Sequence, residues 1–162
     1  MTESRTTWTF QPTGRTGQRQ RREVVAAQLE LLSRAPLFRG LAKTHLRRIA
    51  QVSGSRRFRA GEELVKEGVA GSVFFVIVQG RAKVVRGRRT MTHLGPGDFL
   101  GEMAILTGAP RNASVVSETP MECLTLSATA LRTVLRSEPA IAFRMLTGVA
   151  ERVARAEGSP TA

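Results

Sequence analysis

The sequence predicts a mainly β fold, a sandwich or barrel of short strands with helices before and after it. Three observations lead there. Apolar residues recur at helical spacing only near the two ends, between residues 23 and 52 and between 128 and 155. From Ser53 the period changes to short β-branched and aromatic runs. Glycine turns separate those runs, where alternating βαβ units would instead place helices between them.

Residues 1–22 are polar, rich in Thr, Gln, Gly and Arg, and without periodicity, so they read as a flexible basic arm. Its Arg19-Gln20-Arg21-Arg22 is a basic patch on a solvated tail, and Trp8 and Phe10 are aromatic exceptions able to dock on a neighbouring surface. Residues 23–157 form the domain, and 158–162 a tail. In the first helix, Glu23 to Arg34, Val25, Leu29 and Leu32 share a face, with Val24 and Leu31 beside them. Pro36 ends it, and Pro36 to Leu41 make a compact apolar turn. A second helix, Ala42 to Val52, presents Leu46, Ile49 and Ala50 on one side.

The strands follow. Arg57 to Arg59 and Glu63 to Lys66 flank the turn Ala60-Gly61. Val73 to Val78 is a continuous apolar run, which suits a strand with little face in water. Gln79-Gly80 turns the chain into Ala82 to Arg86, and Gly87-Arg88-Arg89 closes a hairpin to Thr90 to Leu94. Ser114 to Ser117 and Met121 to Leu126 read as a last strand pair around Glu118-Thr119-Pro120. Ser127 is a good N-cap for a helix from Ala128 to Arg136. Pro139 starts the final helix, whose Ile141, Met145, Val149 and Val153, with Ala142 and Leu146, form a stripe that packs on the barrel or on a second copy.

Composition narrows the function. The 162 residues suit one domain, and 41% hydrophobic content makes it globular. No apolar run approaches the ~20 residues of a membrane span, and the polar N-terminus is no signal peptide, so a cytoplasmic protein is expected. The single cysteine, Cys123, lies in an apolar stretch and reads as a buried structural thiol. His45 and His93 have no ligand-spaced neighbours, which leaves no metal site, no general base and no catalytic constellation; the chain is not read as an enzyme. The net charge of +12 implies either attraction to phosphate or a basic surface coat. Its arginines are scattered through loops and helix faces, which weakens a nucleic-acid reading.

The stretch Gly95 to Val116 gathers the groups that could carry function. Gly101 permits close backbone approach to a ligand, and the short apolar helix after it would present free N–H groups to an anion. Arg111 supplies a charged fork matched to phosphate oxygens. Glu102 has the wrong sign for phosphate and suits a sugar hydroxyl. One anion, one sugar hydroxyl and an apolar surround describe a nucleotide site.

Phe99-Leu100-Gly101-Glu102-Met103-Ala104-Ile105-Leu106, followed by Ala109-Pro110-Arg111-Asn112-Ala113-Ser114-Val115, resembles the phosphate-binding cassette of the cyclic nucleotide-binding domain. That family includes catabolite-activator-type regulators, regulatory subunits of cyclic-AMP-dependent kinase and cyclic-nucleotide-gated channels. The resemblance runs from about Leu31 to Arg155 and implies a jelly-roll-like β-roll, a double-stranded β-helix, with N-terminal helices and two C-terminal helices. It implies that Glu102 binds the ribose 2′-hydroxyl and Arg111 the exocyclic phosphate oxygens. The backbone around Gly101, Met103, Ala104, Asn112 and Ala113 completes the cradle, with Phe99, Leu100 and the turn glycine Gly80 in support. At Ser72 the family often carries aspartate, which here alters the turn chemistry.

The resemblance further implies a sensor of cyclic AMP whose C-terminal helices close over the base and signal to an effector protein. Asn112, which follows Arg111, is neither of the residues the family uses to choose its base, so cyclic GMP stays open as the alternative. A relative of the catabolite-activator regulators and a non-ligand-binding interaction domain are the rival readings. No helix-turn-helix follows the last helix, so direct DNA binding is not expected of this chain, as monomer or homodimer.

Overall fold

The computed structural model describes residues 15–158, so Trp8, Phe10 and the tail from 159 lie outside the described residues. Helices α1 (Arg15–Arg34) and α2 (Lys43–Val52), linked through a 3-10 turn at Pro36–Phe38, precede eight strands: β1 (Ser53–Phe58), β2 (Glu63–Val65), β3 (Val73–Gln79), β4 (Ala82–Arg86), β5 (Arg89–Leu94), β6 (Phe99–Leu100), β7 (Ser114–Ser117) and β8 (Met121–Ser127). The short helix α3 (Glu102–Thr107) interrupts them between β6 and β7, and α4 (Ala128–Ser137) and α5 (Pro139–Ala156) follow.

The strands form two four-stranded antiparallel sheets, ordered β1-β8-β3-β6 and β2-β7-β4-β5. The apolar run of β3 is explained by where its two faces go. Phe75 and Ile77 pack between the sheets with Phe58, Leu94, Val115 and Cys123, while Phe74, Val76 and Val78 pack outward against the helices with Leu32, Phe38, Leu131 and Ile141. β8 divides in the same way, with Met121 and Cys123 inward and Leu124 and Leu126 toward the helices. With both faces dry from Phe74 to Val78, β3 carries no polar alternation, whereas β8 keeps Glu122 and Thr125 among its apolar residues. The hairpin from β4 to β5 forms as expected, pairing Arg86 with Arg89 around a left-handed Gly87. Burial raises the Cys123 thiol to about 12, as a structural cysteine requires.

Several local expectations are corrected. α1 begins at Arg15, eight residues before Glu23, so the Arg19 to Arg22 patch is helical, supported by an Arg19–Glu23 ion pair one turn apart. β1 begins at Ser53 instead of Arg57: its Ser-Gly-Ser start has weak β preference and is held by pairing with β8, Ser53 opposite Leu126. β7 and β8 do not pair with each other; they lie in different sheets, β7 between β2 and β4 and β8 between β1 and β3. The apolar stripe of α5 divides: Ile141 and Met145 are buried and Val149 packs on them, whereas Leu146 and Val153 are exposed together with Phe143.

Candidate functional site

α3 is a short helix framed by two left-handed glycines. Gly101 (φ +94°) is its N-cap, and Gly108 (φ +71°) ends it by donating to the Ala104 carbonyl at 3.0 Å. A Cβ at Gly101 would stand 2.6 Å from the Val73 carbonyl and 2.8 Å from Arg111 Nη1, so only glycine fits. The first-turn amides of α3 have no intrahelical acceptors. They edge a cavity of about 380 Å³, within the size range of small-ligand pockets.

That cavity brings the sequence-predicted residues together. Gly101, Glu102, Met103, Ala104, Arg111, Asn112 and Ala113 all line it, and so does Leu100. Phe99 stands behind the wall, its ring against Phe74 and beneath a guanidinium of α5. Gly80 is corrected: it makes the turn between β3 and β4, where a Cβ would meet the Pro120 carbonyl at 2.3 Å, and it does not line the cavity.

Arg111 is buried, 8% exposed, and donates from Nη1 to the Gly101 carbonyl at 3.0 Å and from Nη2 to the Val73 carbonyl at 2.8 Å. It forms no ion pair among the described residues. Burial lowers its pKa, and the nearby Glu102 carboxylate opposes that shift.

Glu102 is 4% exposed. Its Oε1 accepts from Arg152 Nη1 at 3.1 Å, while its buried Oε2 has no partner among the described residues. Burial raises its pKa, and Arg152, its own backbone and Arg111 pull the other way. An orphaned carboxylate oxygen on a cavity wall is an acceptor awaiting a donor, and a ligand hydroxyl is a suitable one.

Sequence reasoning missed three arginines. Arg152 on α5 grips Glu102, donates to the Phe99 carbonyl and lies 4.5 Å over the Phe99 ring. One turn earlier Gly148 lets α5 approach that ring, since a Cβ there would stand 2.9 Å from it. Arg132 on α4 donates to the Ile105 carbonyl at 2.9 Å, near the other end of α3. Arg86 on β4 lines the cavity and donates to the Asn112 carbonyl at 3.1 Å. The available signal for Arg152 was a charge at position 152 continuing the barrel-facing positions 145 and 149. β5 contributes Met91, Thr92 and His93 to the cavity, and α5 contributes Val149, Arg155 and Ala156.

Comparison with known proteins agrees with this geometry. Residues 55–138, just over half of the 162, match the model of the cyclic nucleotide-binding domain. A cyclic nucleotide-gated potassium channel of Rhizobium etli is 33% identical over 132 residues, 82% of this chain and 37% of that protein. A CRP-like cAMP-activated global transcriptional regulator of Mycobacterium tuberculosis is 28% identical over 131 residues, 78% of this chain and 58% of its own length. A structure of cAMP-bound PfPKA-R superposes with a TM-score of 0.75 at 22% identity, over 88% of this chain and 50% of that one, a likeness of fold. This chain therefore spans only part of each protein it matches. Among the described residues, no helix is long and apolar enough to cross a membrane. The eight-stranded roll, the cassette at residues 99–115 and the family match together show that the chain belongs to the cyclic nucleotide-binding domain family.

Proposed function

We propose that this chain is a regulatory sensor that binds cyclic AMP, with cyclic GMP as the alternative ligand, and signals through its C-terminal helices. The carrying observation is the buried Glu102 with its unpartnered Oε2 in the same cavity as the buried cation Arg111. A cyclic nucleotide supplies both complements, a hydroxyl donor and a single negative charge.

In this reading the ribose 2′-hydroxyl donates to Glu102 Oε2. The phosphodiester faces Arg111 and the first-turn amides of α3, where charge-assisted hydrogen bonds are strong because water is largely excluded. The base lies between β5 and the roof formed by α5. Neither the Asn112 amide nor Thr92 commits the site to one purine, so base choice rests on the titration below.

Signal output follows from the two arginine links. Arg152 ties α5 to the start of α3, and Arg132 ties α4 to its end. A ligand that pulls α3 inward therefore changes the position of both helices, to the extent that it prefers one arrangement over the other. The output partner is an effector protein in the cytoplasm. The relatives named above suggest channel gating or transcription as systems in which such a module serves, the latter being the catabolite-activator alternative.

A second reading, an interaction domain that binds no nucleotide, draws on one observation. Arg111 and Glu102 already have partners within the chain, two carbonyls and Arg152. Calorimetric titration with cyclic AMP and with cyclic GMP tests both readings. Saturable binding is expected, and Arg111→Ala should weaken it by about 2 kcal/mol or more, the scale for removing one side of a desolvated charge pair. No heat with either nucleotide would leave the interaction domain as the function.

A further inference from the structure

Arg111 lines a second cavity as well. It measures about 290 Å³ and is bounded by β1, β2 and the loop that leads into β3, with Arg56, Lys66, Gly71, Ser72 and Phe75 among its walls. Among the described residues no acidic side chain lines it. Three cations do, and none of the three forms an ion pair among the described residues.

Their placement leaves their charge available. Arg56 lies over the rings of Phe58 and Phe75, at 4.9 and 5.9 Å from the centroids, so apolar surface holds it near the cavity in place of a carboxylate. Gly71 packs directly on the Arg111 guanidinium, where a Cβ would stand 2.0 Å from Nε; with no side chain there, Arg111 can form part of this wall. Arg111 itself is 8% exposed and satisfied only by two neutral carbonyls. Glu102 offsets the cost of burying Arg111 only from beyond ion-pair distance, so this buried guanidinium, next to two further cations and a void, keeps an unmet electrostatic demand.

We infer that this second cavity is an anion site for a phosphate-class oxyanion, held by Arg56, Lys66 and the Arg111 guanidinium, with the Ser72 hydroxyl as an available donor. Because both cavities share Arg111, an oxyanion here competes for the guanidinium that the proposed nucleotide needs. This coupling rests on the sensor reading above; the site itself does not. By linkage, occupancy of either site weakens the other by the same factor.

The test uses the full chain without nucleotide, titrated with inorganic phosphate against sodium chloride of matched ionic strength and followed by phosphorus NMR and calorimetry. Saturable phosphate binding beyond the chloride control is expected. The double variant Arg56→Gln/Lys66→Gln changes two exposed residues outside the first cavity, so it should stay folded by circular dichroism and weaken phosphate by about tenfold or more. Ser72→Asp supplies a resident carboxylate and should also abolish phosphate binding. Nucleotide affinity in phosphate-free buffer should be unchanged in the double variant, while its dependence on added phosphate disappears. Two results would overturn the site: no phosphate binding beyond the chloride control, or wild-type phosphate affinity in both altered chains, which would place the anion elsewhere. A chain that binds phosphate as described but no nucleotide would overturn the sensor reading and leave this site standing.

Discussion

Arg152 Nη1 donates to Glu102 Oε1 at 3.1 Å, joining the last helix to the first residue of α3 across 50 residues of sequence. The Glu102 side chain is 5% exposed and that of Arg152 26%, so the pair is drier than most surface ion pairs and only partly shielded by solvent. The same guanidinium holds the Phe99 carbonyl and covers its ring, so one side chain fixes α5 over the cavity by three contacts.

Replacing it as Arg152→Ala should therefore loosen α5 locally. A loss of roughly 1–2 kcal/mol is expected, between the worth of an exposed pair and that of a fully buried one. Hydrogen exchange should rise in α5 and at α3 while β3 and β8 stay protected. Equal exchange along α5 in the two proteins would remove Arg152 from its proposed role in signal output.

The Glu102 carboxyl gives a pH signature. Burial pushes it above its ordinary value of 4.5, and the guanidiniums only partly offset this. The folded chain then holds the proton more tightly than the unfolded chain. The stability this adds is full below 4.5 and is lost as pH rises through the folded pKa. Glu102→Gln cannot titrate, so the unfolding free energy of the wild type minus that of the variant should fall as the pH rises above 4.5 in urea melts. A difference that is flat or rises with pH contradicts the assignment.

Gly101 and Gly95 make a matched pair of substitutions. At Gly101 the backbone is left-handed and a Cβ would press on the Val73 carbonyl and on Arg111, whereas at Gly95 a Cβ meets nothing within 4 Å. Gly101→Ala should cost about 1–3 kcal/mol in strain and displace the Arg111 guanidinium, reducing nucleotide affinity. Gly95→Ala should leave affinity unchanged. Equal affinities in the two variants, measured by calorimetry, would detach Gly101 from the site.

How much of this was legible in the sequence depends on the range over which each feature is decided. The cassette was readable because its glycines, Glu102 and Arg111 fall within a dozen residues, and the local turn chemistry of Gly101 and Gly108 fixes their relative positions. β3 was readable because both of its faces are buried, which leaves a run that nothing else explains. Strand pairing was not, because β7 and β8 are adjacent in sequence and belong to different sheets, a choice made by distant partners. The first turns of α1 carry no apolar stripe, and their helix shows only through an exposed ion pair of small worth. Arg86, Arg132 and Arg152 stand 26 to 53 residues from the groups they hold, so no local pattern announces them.

The face of α5 turned away from the barrel gives the last prediction. Phe143 and Leu146 are 70% and 65% exposed, and with the exposed Ala150 they follow the three-four spacing of a coiled-coil seam; Val153, 51% exposed, ends it at the rim of the nucleotide cavity. The residues that anchor α5 to the barrel, Ile141 and Met145, lie on its other side, so this seam is left over after the domain has folded. A second copy of α5 is the partner that such spacing fits, which makes a homodimer the expected state of the chain. Light scattering after size exclusion should give twice the chain mass, and Phe143→Glu/Leu146→Glu should give the single mass. Because neither residue lines the nucleotide cavity, that variant should bind ligand at the same stoichiometry per chain. A wild type that stays monomeric over the accessible concentration range would refute the dimer and leave the seam open to an effector protein.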